Sequence, residues 1–211
     1  MRKSRISTAV IRRLPRYYRH LDELYRGGTV RISSNALAGS MGLTASQIRQ
    51  DLSCFGEFGQ QGYGYNVERL RGEIASILGM DQGHTAIILG TGNLGRALLE
   101  NFPFSFNGFT LTAAFDISPA IVGTRLKGVP VYHVESLEAY LAENPVSVGV
   151  LTVPATAGPE IARRLERAGV KGIWNFTNTE LSLSDPAVRV ENVHFADSLL
   201  TLSYLISGEE T

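Results

Sequence analysis

The spacing of apolar residues changes once along this chain, from a helical period to short continuous runs, and the change falls near residue 81. Val10, Ile11, Leu14, Tyr17, Tyr18, Leu21, Leu24 and Tyr25 recur at three- and four-residue intervals after Ser7 or Thr8, which predicts a capped amphipathic helix. Pro15 lies inside it, so a kink or restart is expected there. Gly27-Gly28 closes it. A short extended piece, Val30-Arg31-Ile32, leads to a small helix over Asn35–Met41 and a turn at Gly42-Leu43. Thr44-Ala45-Ser46-Gln47 reads as a capping box, the Thr44 hydroxyl and the Gln47 amide each closing the other's free N–H. The helix it starts buries Ile48, Leu52 and Phe55 and shows Ser46, Gln47, Arg49, Gln50 and Ser53 on its other face. The alternating, glycine-rich stretch from Glu57 to Tyr65 reads as a β-hairpin, and Val67, Leu70, Ile74, Ile77 and Leu78 form one more helical stripe before a linker at Gly79 to Gly83.

From His84 the pattern is that of buried strands alternating with helices. His84–Leu89 is an apolar run, Leu94, Leu98 and Leu99 are helical, and a second run closes on Asp116. Strands are expected at Val129–His133, Val146–Val153, Gly172–Phe176 and Val190–Phe195, with helices over Ser136–Glu143 and Pro159–Ala168 between them. Such alternation builds a parallel sheet with crossover helices, with ligands at the carboxyl ends of the strands. The last helix, Asp197–Ile206, is apolar on nearly every side. It must be buried in a partner subunit or in its own core. The fold class is therefore α/β: a winged-helix (helix-turn-helix) domain over residues 1–80 and a Rossmann-type parallel-sheet domain over 81–211.

Between the first two strands of the second part stands Gly90-Thr91-Gly92-Asn93-Leu94-Gly95. Gly90 allows the tight turn out of the strand, Gly92 lets backbone N–H groups approach a pyrophosphate, and Gly95 lets the helix pack on the sheet. The helix N-terminus attracts phosphate. Asp116 ends the second strand, where a carboxylate accepts from an adenosine ribose 2′-OH and repels a 2′-phosphate. NAD(H) is the cofactor this arrangement favours.

Charge separates the two parts. Residues 1–80 carry 12 Lys+Arg against 6 Asp+Glu, and residues 81–211 carry 8 against 14. A basic first part on an acidic second part suggests nucleic acid as the partner of the first. Arg49, Gln50 and Gln47 are side chains that read guanine or adenine edges in a major groove. No apolar run approaches the roughly 18 residues that a membrane span needs, and a cytoplasmic protein is expected. One cysteine, Cys54, excludes an intrachain disulfide, and the four histidines show no metal-ligand spacing. From residue 84 only about 130 residues remain, which is room for the cofactor fold without a substrate domain. His133 and His194 have no nucleophile or base beside them in the pattern. No catalytic residue is expected.

Several motifs resemble the Rex redox-sensing transcriptional repressors: RLPRYYRHL (Arg13–Leu21), SSNALAGSMGL with SQIRQDLSCFGEFG (Ser33–Gly59), GYGYNV (Gly62–Val67), GTGNLGRALL (Gly90–Leu99), FDISPAIVG (Phe115–Gly123), LTVPA (Leu151–Ala155), KGIWNF (Lys171–Phe176) and ENVHF (Glu191–Phe195). The likeness runs the whole length. It implies a homodimer with winged helices on palindromic double-stranded operator DNA and a last helix exchanged between subunits, with NADH releasing the DNA. By that likeness the loop residues Gly90, Thr91, Gly92, Asn93, Leu94 and Gly95 hold the cofactor with Asp116. Thr152, Val153 and Pro154 line the cleft, and Phe195 of the other subunit approaches the nicotinamide. Arg13, Ser46, Gln47, Arg49, Gln50 and Ser53 face DNA, joined by Gln61 and Tyr63 of the wing. Where the family usually reads IRRD this chain reads IRQD, and Gln60-Gln61 stand where the wing tends to be basic. Asn101-Phe102 and His194-Phe195 stand where many members carry a Tyr and an Asp. Two other readings therefore stay open on the residues alone: a DNA-binding regulator with altered redox discrimination, and an NAD-dependent oxidoreductase.

Overall fold

The computed structural model describes residues 6–56, 58–60 and 63–208. The chain divides into two compact units between Gln82 and Gly83.

In the first unit, α1 (Thr8–Arg26) is capped by the Ser7 hydroxyl, which accepts from the Val10 N–H. It buries Val10, Leu14, Tyr17 and Leu21 on one face. Pro15 does not divide it; the helix runs unbroken through that position. Pro15 is exposed, so water can take the carbonyl that the proline leaves without a donor. After β1 (Arg31–Ile32), α2 (Ser34–Met41) stops at Gly42, whose φ of 64° is the left-handed cap conformation that glycine adopts freely. Next comes α3 (Ala45–Ser53). Only half of the expected capping box forms. Thr44 Oγ1 accepts from the Gln47 N–H at 3.1 Å, but the Gln47 amide turns to Asp51 at 2.8 Å and leaves the Thr44 N–H. A buried carboxylate outcompetes a solvent-accessible amide N–H, because charge-assisted bonds are roughly twice as strong as neutral ones. The strands β2 (Gly59–Gln60) and β3 (Gly64–Asn66) then pair antiparallel, β1 joins the other side of β3, and α4 (Val67–Ile77) packs on α1. Leu14, Tyr17, Leu21, Leu37, Ile48, Leu52, Val67, Leu70 and Ile74 are the core of this helix-turn-helix with its wing.

The second unit is a seven-stranded sheet. Its strands are β4 (His84–Leu89), β5 (Phe109–Asp116), β6 (Arg125–Leu126), β7 (Val129–His133), β8 (Val148–Leu151), β9 (Gly172–Asn175) and β10 (Arg189–Asn192). They lie in the order β10-β9-β8-β4-β5-β7-β6. All pair in parallel except β6, an edge strand antiparallel to β7 that the apolar pattern does not reveal. Two residues of strand carry too little periodicity to register. Alternate side chains serve two layers. Ile87, Leu89 and Phe115 pack with α6 (Leu137–Glu143) and α7 (Gly158–Arg167) through Leu137, Leu141, Ile161 and Leu165. Ile88, Ala114 and Val150 pack on the opposite face with α5 (Asn93–Asn101) through Leu99, and with Phe104.

The last helix, α8 (Phe195–Ser207), starts two residues earlier than its apolar pattern indicates and buries none of its residues within the chain. Leu199, Leu200, Tyr204, Leu205 and Ile206 are each more than half exposed. Burial in its own core, one of the two expectations for this helix, does not occur.

Candidate functional site

The nucleotide-type site is built where β4 runs into α5. Gly90 (φ 92°) turns the chain out of the strand, and a Cβ there would come within 2.9 Å of the Thr152 carbonyl oxygen. At Gly95 a Cβ would collide with the Gly90 carbonyl. At Gly92 it would meet nothing. The three glycines thus do different work: two are forced by packing inside the protein, and the third leaves open space in front of the loop. Gly92 is the N-cap of α5 and offers no capping side chain, so the first amides of the helix keep their donors for a ligand. Asn93 is exposed and Leu94 half-buried at this first turn. Those are the features a pyrophosphate requires, and the loop fits one.

Thr91 is buried, and both its N–H (2.6 Å) and its hydroxyl (2.7 Å) donate to Asp116 Oδ2 at the end of β5. Asp116 Oδ1 accepts from the N–H groups of Ile117 (2.8 Å) and Ser118 (2.9 Å). Partial burial pushes this carboxyl upward, but the donors from Thr91, Ser118 and Ile117 outweigh it and hold the group below the usual carboxylate range. From the other side, Thr152 at the end of β8 donates its hydroxyl to the Gly90 carbonyl at 2.7 Å. Val153 is half-buried beside Gly90, and Pro154 is exposed next to it. Loop residues, Asp116, Thr152 and Val153 are therefore brought together at one end of the sheet.

Phe195 is the first residue of α8, is 60% exposed, and lies with its ring centroid 6.1 Å from that of Phe176. The segment leading into it is tied down by a network that the sequence pattern does not disclose. The buried Asn175 amide donates to Asn192 Oδ1 and the Thr179 carbonyl and accepts from Thr177, and Asn192 donates to Glu180. His194 Nε2 lies 3.6 Å from Glu180 Oε1. Asn101 spends its amide within α5, on the Ala97 carbonyl. The described residues contain no group of three or more metal-ligating side chains.

In the first unit, α3 presents Ser46, Arg49, Gln50 and Ser53 as exposed side chains, while Gln47 is half-buried. Arg49 Nη1 donates to Ser34 Oγ at 2.9 Å. The residue missed from the pattern is Asp51, which is fully buried. It accepts from Arg13 Nε (2.6 Å) and Nη2 (2.8 Å), from the Tyr17 hydroxyl (2.8 Å) and from Gln47 Nε2 (2.8 Å). Burial raises this carboxyl, and the bonds from Arg13, Tyr17 and Gln47 outweigh that and lower it. A signal was available: position 51 lies on the Ile48–Leu52–Phe55 face, where an acid needs a buried partner. Arg13 is consequently engaged inside the domain with its side chain 29% exposed. On the wing, Tyr63 is 70% exposed, with the Arg31 guanidinium 5.9 Å from its ring centroid. Gln61 lies outside the described residues.

Residues 81–179 match the model of the CoA binding domain, and residues 5–53 match that described as "Putative DNA-binding protein N-terminus". The redox-sensing transcriptional repressor Rex of Thermoanaerobacter pseudethanolicus is 48% identical over 209 residues, covering 99% of this chain and 93% of its own. Rex of Clostridium tetani is 48% identical over 209 residues, covering 99% of each. Among solved structures, RSP in complex with beta-NAD+ and operator DNA superimposes with a TM-score of 0.92 at 48% identity, covering 98% of this chain and 95% of that one. RSP in complex with beta-NADH gives 0.91 at 45%, covering 98% and 97%. With identity near one half along essentially its entire length, the chain belongs to the Rex family of redox-sensing transcriptional repressors.

Proposed function

We propose that this protein is a repressor that binds operator DNA as a homodimer through the two copies of α3 and is released from it by NADH. The observation that carries the reading is one chain holding both a winged helix with an exposed polar recognition face and a glycine loop fastened to Asp116 in front of an uncapped helix. The RSP relative, solved with beta-NAD+ and operator DNA, has the same pair of units.

The cofactor supplies the redox signal, its nicotinamide ring carrying a positive charge in NAD+ and none in NADH. Gly90–Gly95 and the amides opening α5 hold the pyrophosphate. The Asp116 carboxylate already accepts four hydrogen bonds, about its full capacity, so a ribose hydroxyl shares oxygens that also fix Thr91. Its charge excludes a 2′-phosphate, which favours NAD(H) over NADP(H). Thr152, Val153 and Pro154 line the cleft, and Phe195 comes from the other subunit of the dimer. The exposed apolar surface of α8 supports that exchange, since a contiguous apolar patch of this kind marks an interface.

Switching follows from linkage: NADH weakens DNA binding to the extent that it binds one dimer arrangement better than the other. No helix among the described residues is long and apolar enough to cross a membrane; operator DNA and the NAD(H) pool as partners support work in the cytoplasm. The deciding experiment selects operators from random duplexes and then titrates the complex with NADH, NAD+ and NADPH. Release by NADH alone supports the reading. Sequence-specific binding indifferent to all three would favour a regulator without redox discrimination, and turnover of a substrate would favour an oxidoreductase.

A further inference from the structure

Within the recognition helix the polar side chains are not equivalent. Gln47 is committed to Asp51 at 2.8 Å and Arg49 to Ser34 at 2.9 Å, and the Ser53 hydroxyl donates to the Gln50 carbonyl at 2.8 Å. Gln50 is exposed, and its amide has no hydrogen-bond partner among the described residues. Ser46 is likewise exposed, but a hydroxyl both donates and accepts and so discriminates poorly between bases. A glutamine amide presents a donor and an acceptor side by side, which matches N7 and the N6 amino group of adenine and mismatches the two acceptors of guanine.

Where Gln50 points depends on how α3 is rolled about its own axis, and that roll is fixed from the inside. Asp51, the next residue, is fully buried and takes four bonds, three of them from α1. A rotation that moved Gln50 would have to break a two-pronged contact with Arg13 and the hydroxyl bond from Tyr17. Charge-assisted pairing of this kind adds geometric specificity as well as energy.

We infer that Gln50 reads one adenine in each operator half-site, and that Asp51 is the positioning residue that aims it. The inference rests on the DNA-binding reading above and names the base recognised by that same helix. Arg13 and Gln47, in this assignment, act on DNA through Asp51 rather than by direct contact.

Selection from random duplexes, run in parallel on the full-length protein and on Gln50→Ala, tests it. Gln50 is exposed, so the variant keeps its fold. The natural protein should select adenine at one symmetric position per half-site. Gln50→Ala should keep the remainder of the selected sequence and lose that one preference, with about tenfold or greater weakening on the original operator. Gln50→Lys should shift the preference at that position to guanine. If Gln50→Ala selects the same adenine as strongly, the assignment is overturned while the repressor reading stands. If the natural protein selects no sequence at all, both fall together. For Asp51, the readout is the ratio of specific to nonspecific affinity in Asp51→Asn, measured at a temperature where circular dichroism shows it folded. Loss of preference at all positions together supports a positioning role. An unchanged ratio reduces Asp51 to a stabilising contact.

Discussion

Thr91 gives both of its donors to one oxygen of Asp116, the N–H at 2.6 Å and the hydroxyl at 2.7 Å. The glycine loop is thereby held to the end of β5 before any ligand arrives. Removing the hydroxyl with Thr91→Val deletes one of these bonds at nearly constant volume. A net loss of about 1 kcal/mol corresponds to roughly fivefold weaker NADH binding, readable by calorimetric titration. Asp116→Ala removes all four bonds and the charge. It should weaken NADH by tenfold or more, narrow the gap between NADH and NADPH, and leave DNA binding in the absence of cofactor largely intact. Loss of DNA binding with unchanged NADH affinity would show that Asp116 serves the fold and not the cofactor.

The glycines of the loop separate stability from binding. A Cβ at Gly92 meets no atom of the protein, whereas at Gly95 it strikes the Gly90 carbonyl. Gly92→Ala should therefore melt close to the natural protein yet lose most of its affinity for NADH, because the methyl group occupies the space in front of the loop. Gly95→Ala should lower both. Equal destabilisation of the two variants in a thermal melt would contradict this division.

The strand–loop–helix–strand unit was legible because its constraints are local. Turn, helix start and acidic strand end are fixed by residue type at short spacing, and residues 90–95 and 116 come together as the pattern requires. What the pattern could not give is set by contacts across tens of residues. Asp51 meets Arg13 and Tyr17 at separations of 38 and 34 residues, and no periodicity encodes that meeting. The capping box misled for the same reason. Its two-residue logic is complete locally, and a buried acid one helical turn further on redirected the Gln47 side chain. The pattern puts Asn175 at the carboxyl end of a strand, but not the bonds by which Thr177, Thr179 and Asn192 close around its amide.

Asp51 should also shape the stability of the first unit with pH. Its carboxyl is held below its ordinary value in the folded chain, so the stabilisation is present above the unfolded value of about 3.9 and is lost as pH falls through the lower, folded value. Asp51→Asn leaves Arg13 without its counter-charge and should cost about 3 kcal/mol near pH 7. That difference should shrink steadily below about pH 4, as the natural side chain is itself protonated. Denaturant melts of both proteins between pH 3 and pH 7 check the sign. A constant difference across that range would mean that the charge on Asp51 contributes nothing.

The exposed helix α8 makes the strongest demand on the assembly. Leu199 and Leu200 are 67% and 66% exposed, and Tyr204 78%, a surface that water solvates poorly and that burial against a second subunit would stabilise by about 25 cal/mol per Å² of apolar area. Leu199→Glu places a charge in the middle of that surface, where unpaired burial is costly. Sedimentation velocity should then find a monomer where the natural protein sediments as a dimer. Because a dimer places two recognition helices on two half-sites, the monomeric variant should bind the full operator only about as well as a single half-site. Should Leu199→Glu remain dimeric with unchanged operator affinity, α8 is not the element that joins the subunits, and the apolar surface belongs to some other contact.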